Sequence, residues 1–183
     1  MRDELAIGGY AHNEIIVRLN AQTSLEQQVT ITDVKIVDLV AAEPARGALV
    51  NLVTCGGDPT NGMVIHINGP DRQPFAMNEY RQETDRHFFD TEVVNVAPGK
   101  KQSFVVRVVV DNYRAIGSYT FRLAFSYEVD GKQSQAIVDN NGQPFRLTGG
   151  CDWTSYTASQ WVGQDEPIMQ QYDRDRLADL ACN

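Results

Sequence analysis

Long apolar runs, lysine and cysteine are scarce in this chain of 183 residues, and each scarcity excludes a class of protein. No run approaches the roughly 18–20 apolar residues of a membrane-spanning helix, so we expect no membrane insertion. Lysine occurs four times against twelve arginines, and no basic stripe is present. The chain therefore lacks the clustered cations that neutralise nucleic-acid phosphates. Its net charge of −8 favours solubility and identifies no partner.

Histidine and cysteine occur three times each, in spacings that do not suit a metal site. His12, His66 and His87 are far apart, and neither a C-x-x-C nor an H-E-x-x-H pattern is present. His66 alternates with apolar neighbours, which predicts a solvent-facing position on a strand. Nucleophile elbows and phosphate- or dinucleotide-binding loops are also missing. The sequence thus offers no catalytic constellation that can be recognised from spacing.

Two of the cysteines, Cys55 and Cys151, lie in similar Gly-flanked loops, and we predict a disulfide between them. The bridge would close a loop of about 97 residues, for which chain entropy gives on the order of 4–5 kcal/mol. Cys182 would then be unpaired or paired outside the chain, and a Cys151–Cys182 bridge is the rival pairing. Unrelated thiols in a cytosolic protein are the alternative. The disulfide favours an extracytoplasmic bacterial protein, secreted or membrane-anchored, whose signal or anchor lies upstream, since Met1–Leu5 begin no apolar signal segment.

Alternation of apolar and polar residues predicts a mainly β protein, most clearly over 93–147. Asp130-Gly131 predicts a type I′ hairpin. Between Val29 and Val40 the apolar phase slips by one residue, which predicts a bulge or bend near Asp33. With seven to nine such strands and polar turns, we predict an antiparallel β-sandwich over residues 1–150.

The region 93–138 resembles the closing strands of immunoglobulin-like and fibronectin-type sandwiches. A turn at Ala97-Pro98-Gly99, a valine-rich strand and then Gly117-Ser118-Tyr119-Thr120-Phe121 carry the resemblance. It implies an immunoglobulin-like sandwich in which Tyr119, near the start of a late strand, forms a tyrosine corner. No functional residue comes with it.

The C-terminal segment 151–183 differs from the rest, and we predict an aromatic stretch followed by a short helix that packs on the sandwich. Asp165 and Pro167 favour a helix start. The aromatic residues either cover a sheet edge or stack against sugar rings, which makes a carbohydrate-binding module an alternative function. These residues are Trp153, Tyr156 and Trp161.

The connection that contains Glu79, Tyr80 and Arg81 carries charge of both signs, and we predict that it contacts a protein or glycan partner. Carboxylates of the segment 79–90 could instead serve a hydrolase, which is a further alternative. They are Glu79, Glu83, Asp85 and Asp90.

Two loops, 58–62 and 139–142, gather the oxygen donors that calcium prefers, although ordinary turns have the same composition. No cofactor is therefore predicted, with loop calcium as the alternative. Taken together, the sequence predicts a non-catalytic module that binds, senses or has a structural role.

Overall fold

The computed structural model describes residues 10–23, 26–45, 47–52, 62–80, 82–111, 117–149 and 156–162, with the backbone alone at 47–52 and 156–162. This part of the chain is mainly β and contains one four-residue helix, α1 (Phe88–Thr91). No helix in it is long and apolar enough to cross a membrane. The strands are β1 (Ala11–His12), β2 (Glu14–Gln22), β3 (Val29–Ala42), β4 (Gly47–Leu52), β5 (Gly62–His66), β6 (Phe75–Met77), β7 (Glu83–His87), β8 (Val94–Val96), β9 (Lys101–Val109), β10 (Gly117–Val129), β11 (Lys132–Val138), β12 (Phe145–Gly149) and β13 (Tyr156–Val162).

Two sheets hold most of these strands. The six-stranded sheet has the order β1-β12-β10-β3-β8, and β11 also pairs with β10. The five-stranded sheet has the order β2-β9-β5-β6-β7, while β4 and β13 form a separate pair. Most neighbours are antiparallel as predicted, but β1–β12, β5–β9 and β4–β13 are parallel. The predicted antiparallel arrangement therefore holds for most pairs but not for these, because alternation reports which face is buried and carries no information on strand direction.

Side chains from both sheets form one hydrophobic cluster. Burial alternates along β9, where Phe104, Val106 and Val108 are buried and their neighbours are not. The ring of Phe104 lies 5.7 Å from that of Phe125 on β10, measured between centroids, so the two sheets are in contact through aromatic side chains. The alternation in the sequence therefore reflects a core between two sheets.

The chain passes from one sheet to the other at Asn13, whose φ of 59° is in the left-handed region that Asn tolerates. The Asn13 amide donates to the Thr148 carbonyl in the six-stranded sheet (2.8 Å). Its carbonyl accepts from the Val110 amide beyond β9, in the other sheet (2.9 Å). One residue thus connects the two sheets.

Two local predictions are confirmed. Asp130 and Gly131 have φ values of 49° and 72°, and Val129 pairs with Lys132, as a type I′ hairpin requires. Ser126 pairs with Asp33 but Tyr127 pairs with Ile31, so β3 has one extra residue at the predicted bulge.

The segment Tyr156–Val162 is a strand, β13, which pairs in parallel with β4. The sequence predicts only an aromatic stretch there, although its β-branched and aromatic residues favour strands. The helix predicted after Asp165 lies outside the described residues.

Candidate functional site

Two histidines and four carboxylates meet beside β5, β6 and β7, and we call this group the histidine–carboxylate cluster. Two of its members lie on β7, and the others lie at the end of β5, in the connection between β5 and β6, in α1 and just after β9. Its members are His66, Asp71, Glu83, His87, Asp90 and Asp111.

The parallel pairing of β5 with β9 brings the first part of the cluster together. Parallel strands end at the same edge of a sheet, and here His66 pairs with Val109. The residues that follow are joined as well, since the Asp111 amide donates to Oδ1 of Asn68 (2.8 Å) and the Ile67 amide donates to the Val109 carbonyl (2.9 Å). The backbone of Asp111 is therefore fixed close to the imidazole of His66.

His66 lies between two carboxylates. Its Nδ1 is 3.1 Å from Oδ1 of Asp111, and its Nε2 is 2.8 Å from Oε2 of Glu83. A neutral imidazole has one N–H donor, so only the imidazolium can donate to both carboxylates at once. The side chain is 21% exposed, which corrects the prediction of a solvent-facing histidine. The difference arises because Glu83, in a distant part of the sequence, lies against the ring.

His87 has a similar environment on β7, two strands away from β5 in the same sheet. Its Nε2 is 2.9 Å from Oδ2 of Asp71, and its Nδ1 is 3.6 Å from Oδ2 of Asp90. The ring of Phe75 contacts both histidines, with centroid distances of 5.9 Å to His66 and 4.9 Å to His87. The two histidines are thus linked through one aromatic side chain.

Within the cluster, hydrogen bonds change the pKa of Asp71. The Gln73 amide donates to Oδ1 of Asp71 (2.8 Å) and His87 lies against Oδ2. These two hydrogen bonds, with the Gln73 amide first, hold the pKa of Asp71 below its ordinary value of 3.8. Asp71 is therefore ionised at neutral pH and joins the connection between β5 and β6 to β7.

The hairpin formed by β6 and β7 has a defined turn at its tip. Oδ1 of Asn78 accepts from the amides of Tyr80 (3.0 Å) and Gln82 (2.9 Å). The Asn78 amide donates in return to the Gln82 carbonyl (2.9 Å). Tyr80, at the tip, is 76% exposed, the highest value among the large hydrophobic side chains that the structure describes. The turn thus presents an aromatic ring to solvent while the cluster holds the base of the hairpin.

The residues predicted for partner contact and those predicted for a hydrolase lie in different parts of the structure. Glu79 and Tyr80 are exposed at the tip of the hairpin, whereas Arg81 lies outside the described residues. Of the proposed hydrolase carboxylates, Glu83 and Asp90 belong to the cluster, and Asp85 is exposed on β7.

The aromatic and cysteine predictions fall largely on undescribed parts of the chain. Tyr156 and Trp161 belong to β13, of which only the backbone is described. The remaining residues of these predictions, including both members of the predicted disulfide, lie outside the described ranges; they are Trp153, Cys55, Cys151 and Cys182.

In the predicted calcium loop 139–142, the carboxylate of Asp139 has contacts within the protein. Its Oδ1 accepts from the Gly142 amide (2.8 Å), and its Oδ2 is 3.5 Å from Nε of Arg122. Gly142 has a φ of 85°, as expected for a tight turn. Of the other predicted loop, only Gly62 is described. Among the described residues, no three His, Cys, Asp or Glu side chains are arranged to hold a metal ion.

That His87, Asp71 and Asp111 share a site is not predictable from their spacing. They are far apart in the chain and match no spacing motif. A prediction that β5 and β9 are parallel would have indicated that Asn68 and Asp111, which follow these strands, lie side by side.

Comparison with protein-family models, with curated proteins and with solved structures finds no match for this chain. The hairpin of β6 and β7 offers the most specific feature, because a polar cluster at its base and an exposed aromatic ring at its tip occur in one element.

Proposed function

We propose that this chain is a non-catalytic binding module with an immunoglobulin-like β-sandwich, and that the β6–β7 hairpin contacts a protein partner. The exposed ring of Tyr80 on a hydrogen-bonded turn carries the proposal. The sandwich is supported by the single hydrophobic cluster to which both sheets contribute and by the contact between Phe104 and Phe125.

A fixed loop with an exposed aromatic residue is suited to recognition. Tyrosine is enriched in the buried centres of protein interfaces, where it supplies a large contact area and a hydroxyl group. A turn that is ordered before binding loses little conformational entropy on binding. The hydrogen bonds of Asn78 order the tip of the hairpin, and the contact of His66 with Glu83 orders its base. Such pre-organisation favours a binding role for Tyr80.

Site-specific crosslinking tests the proposal. A benzophenone amino acid in place of Tyr80 should give a covalent product with one protein from the source cells after irradiation. The same probe in place of Val93, which is 67% exposed and lies outside the hairpin, provides the control.

With the crosslinked protein in hand, Tyr80→Ala should weaken its binding roughly thirtyfold if Tyr80 is a hot-spot residue. Val93→Ala should leave the affinity unchanged. Equal crosslinking from both positions, or a Tyr80→Ala variant that binds like the parent, would contradict the proposed contact.

The proposal places the module outside the cytoplasm, and this part rests on the Gly-flanked pair Cys55 and Cys151. Mass spectrometry of the unreduced protein after alkylation tests it directly. We expect one alkylated thiol and, after proteolysis, a peptide linked through Cys55 and Cys151. Three alkylated thiols would remove the disulfide and the main support for export.

The sugar-binding and hydrolase alternatives stay predictions. A sugar bound at Trp153, Tyr156 or Trp161 would change tryptophan fluorescence in a glycan titration, with or without calcium. A hydrolase would require a reactive carboxylate in the segment 79–90. Of these carboxylates, Glu83 contacts His66, which favours a structural role for this side chain.

A further inference from the structure

The edge strand β2 is long and regular on its unpaired side. It pairs with β9 over nine residues without a register shift, and no other described strand pairs with it. Its sequence contains no proline and no glycine. Native edge strands are usually short, bulged, charged or covered, because an unpaired backbone edge can pair with another chain. Within the described residues, β2 thus has no bulge, proline, glycine or covering strand, and its two charges, Glu14 and Arg18, are of opposite sign.

The apolar side chains of β2 at the edge of the core are also less buried than those of the neighbouring strand β9. Val17, Leu19 and Ala21 are half-buried and pack against the core, whereas Phe104, Val106 and Val108 on the neighbouring strand are fully buried. Ile16 is 59% exposed. A further strand alongside β2 would cover this apolar border and satisfy the backbone groups of the edge.

We propose that the strand alongside β2 is the β2 strand of a second copy of this chain, so that two five-stranded sheets join across a two-fold axis at Ile16. In an antiparallel pair about that axis, a residue before Ile16 in one copy lies opposite the residue that follows Ile16 by the same number of positions in the other copy. Glu14 of each copy then lies opposite Arg18 of the other. The two Ile16 side chains lie opposite each other, and Ile15 lies opposite Val17.

Charge complementarity identifies the occupant as a second copy. Glu14 and Arg18 lie at equal distances from Ile16 in the sequence, so one edge carries both members of the ion pairs that a two-fold interface needs. Within its own chain, Glu14 accepts a hydrogen bond from Nε of Arg107 through Oε2 (2.6 Å). In the dimer it would lie between two arginines. The contact is short, so we expect a reversible dimer that depends on concentration.

Sedimentation equilibrium with the full chain, from low micromolar to millimolar concentration, tests the proposal. The parent should shift from monomer to dimer. Ile16→Lys should remain monomeric, because it puts two cations opposite each other on the axis. Val40→Lys is the matched control, since Val40 is also 59% exposed but lies on β3 in the other sheet, and it should dimerise like the parent.

The charge variants test the register. Arg18→Glu should raise the dissociation constant about tenfold or more, because both cross-strand pairs become repulsive. Arg18→Lys should keep most of the affinity. Equal effects of the two Arg18 variants, or a dimer that Val40→Lys abolishes and Ile16→Lys does not, would overturn the proposal.

A parent that stays monomeric at millimolar concentration would also overturn it. Hydrogen exchange of that monomer would then identify the alternative occupant. Protected amides along the outer side of β2 would show that another segment of the same chain covers the edge.

Discussion

The five-stranded sheet ends in β2 on one side and in β7 on the other, and the two edges differ in length, regularity and charge. β2 has nine residues in continuous register with β9. β7 has five residues, a register shift against β6, and the charged residues Glu83, Asp85 and Arg86. Bulges and charges are common means of preventing edge association. The comparison indicates that β7 is closed to other strands and held by its own polar contacts, while β2 keeps a backbone edge that can pair.

The largest expected effect comes from removing Phe75, the ring that contacts both histidines at the β7 edge. We expect Phe75→Ala to lower the free energy of unfolding by about 2 kcal/mol, less than for a fully buried phenylalanine because Phe75 is half-buried. Chemical denaturation at neutral pH measures the change. Ile16→Ala, at the β2 edge, should change stability by only about 0.5 kcal/mol. Similar losses at both edges would show that Phe75 does not hold the β7 edge more firmly than Ile16 holds the β2 edge.

A smaller effect is expected from His66→Ala, which removes the contacts with Glu83 and Asp111. We expect a loss of about 1 kcal/mol, because charge-assisted hydrogen bonds at half-exposed positions contribute less than buried ones. The more specific measurement is amide exchange. The β6 and β7 amides should exchange faster in the variant while the β2 amides remain unchanged, since no member of the cluster lies on β2.

His66→Gln provides a check on the same contact. Glutamine can donate to one carboxylate but has only one amide group, so it should recover part of the protection. Uniform acceleration of exchange across the whole sheet would instead indicate global destabilisation.

Features set by neighbouring residues were predictable from the sequence, and those set by distant pairings were not. The Asp130-Gly131 hairpin and the bulge near Asp33 follow from local turn chemistry and from the phase of the alternation. By contrast, 45 positions separate His66 from Asp111, and their contact depends on the parallel pairing of β5 with β9. Alternating side chains predict burial equally well for both strand directions.

The candidate site shows the same division. The exposure of Tyr80 is predictable, because its segment is a charged connection and such segments are usually exposed. The base of the hairpin is not predictable from the local sequence, which favours a solvent-facing His66 and a free Glu83 carboxylate. Their interaction depends on the pairing of β6 and β7 with β5 and with each other.

The smallest effect concerns pH and Asp71, which is on the β7 side of the comparison. Its folded-state pKa lies below the ordinary value of 3.8, chiefly because of the Gln73 amide and then His87. A lowered carboxyl pKa contributes stability that is present above the ordinary value and is lost as the pH falls through the folded-state value. Asp71→Asn should therefore be slightly less stable than the parent at neutral pH, and the difference should disappear in strong acid. Thermal unfolding midpoints across this range measure it, with Asp85→Asn as the control, because Asp85 is exposed on the same strand. If the two variants follow the same curve, Asp71 has no special part in holding the β7 edge, and the hairpin depends on His66 and Phe75 alone.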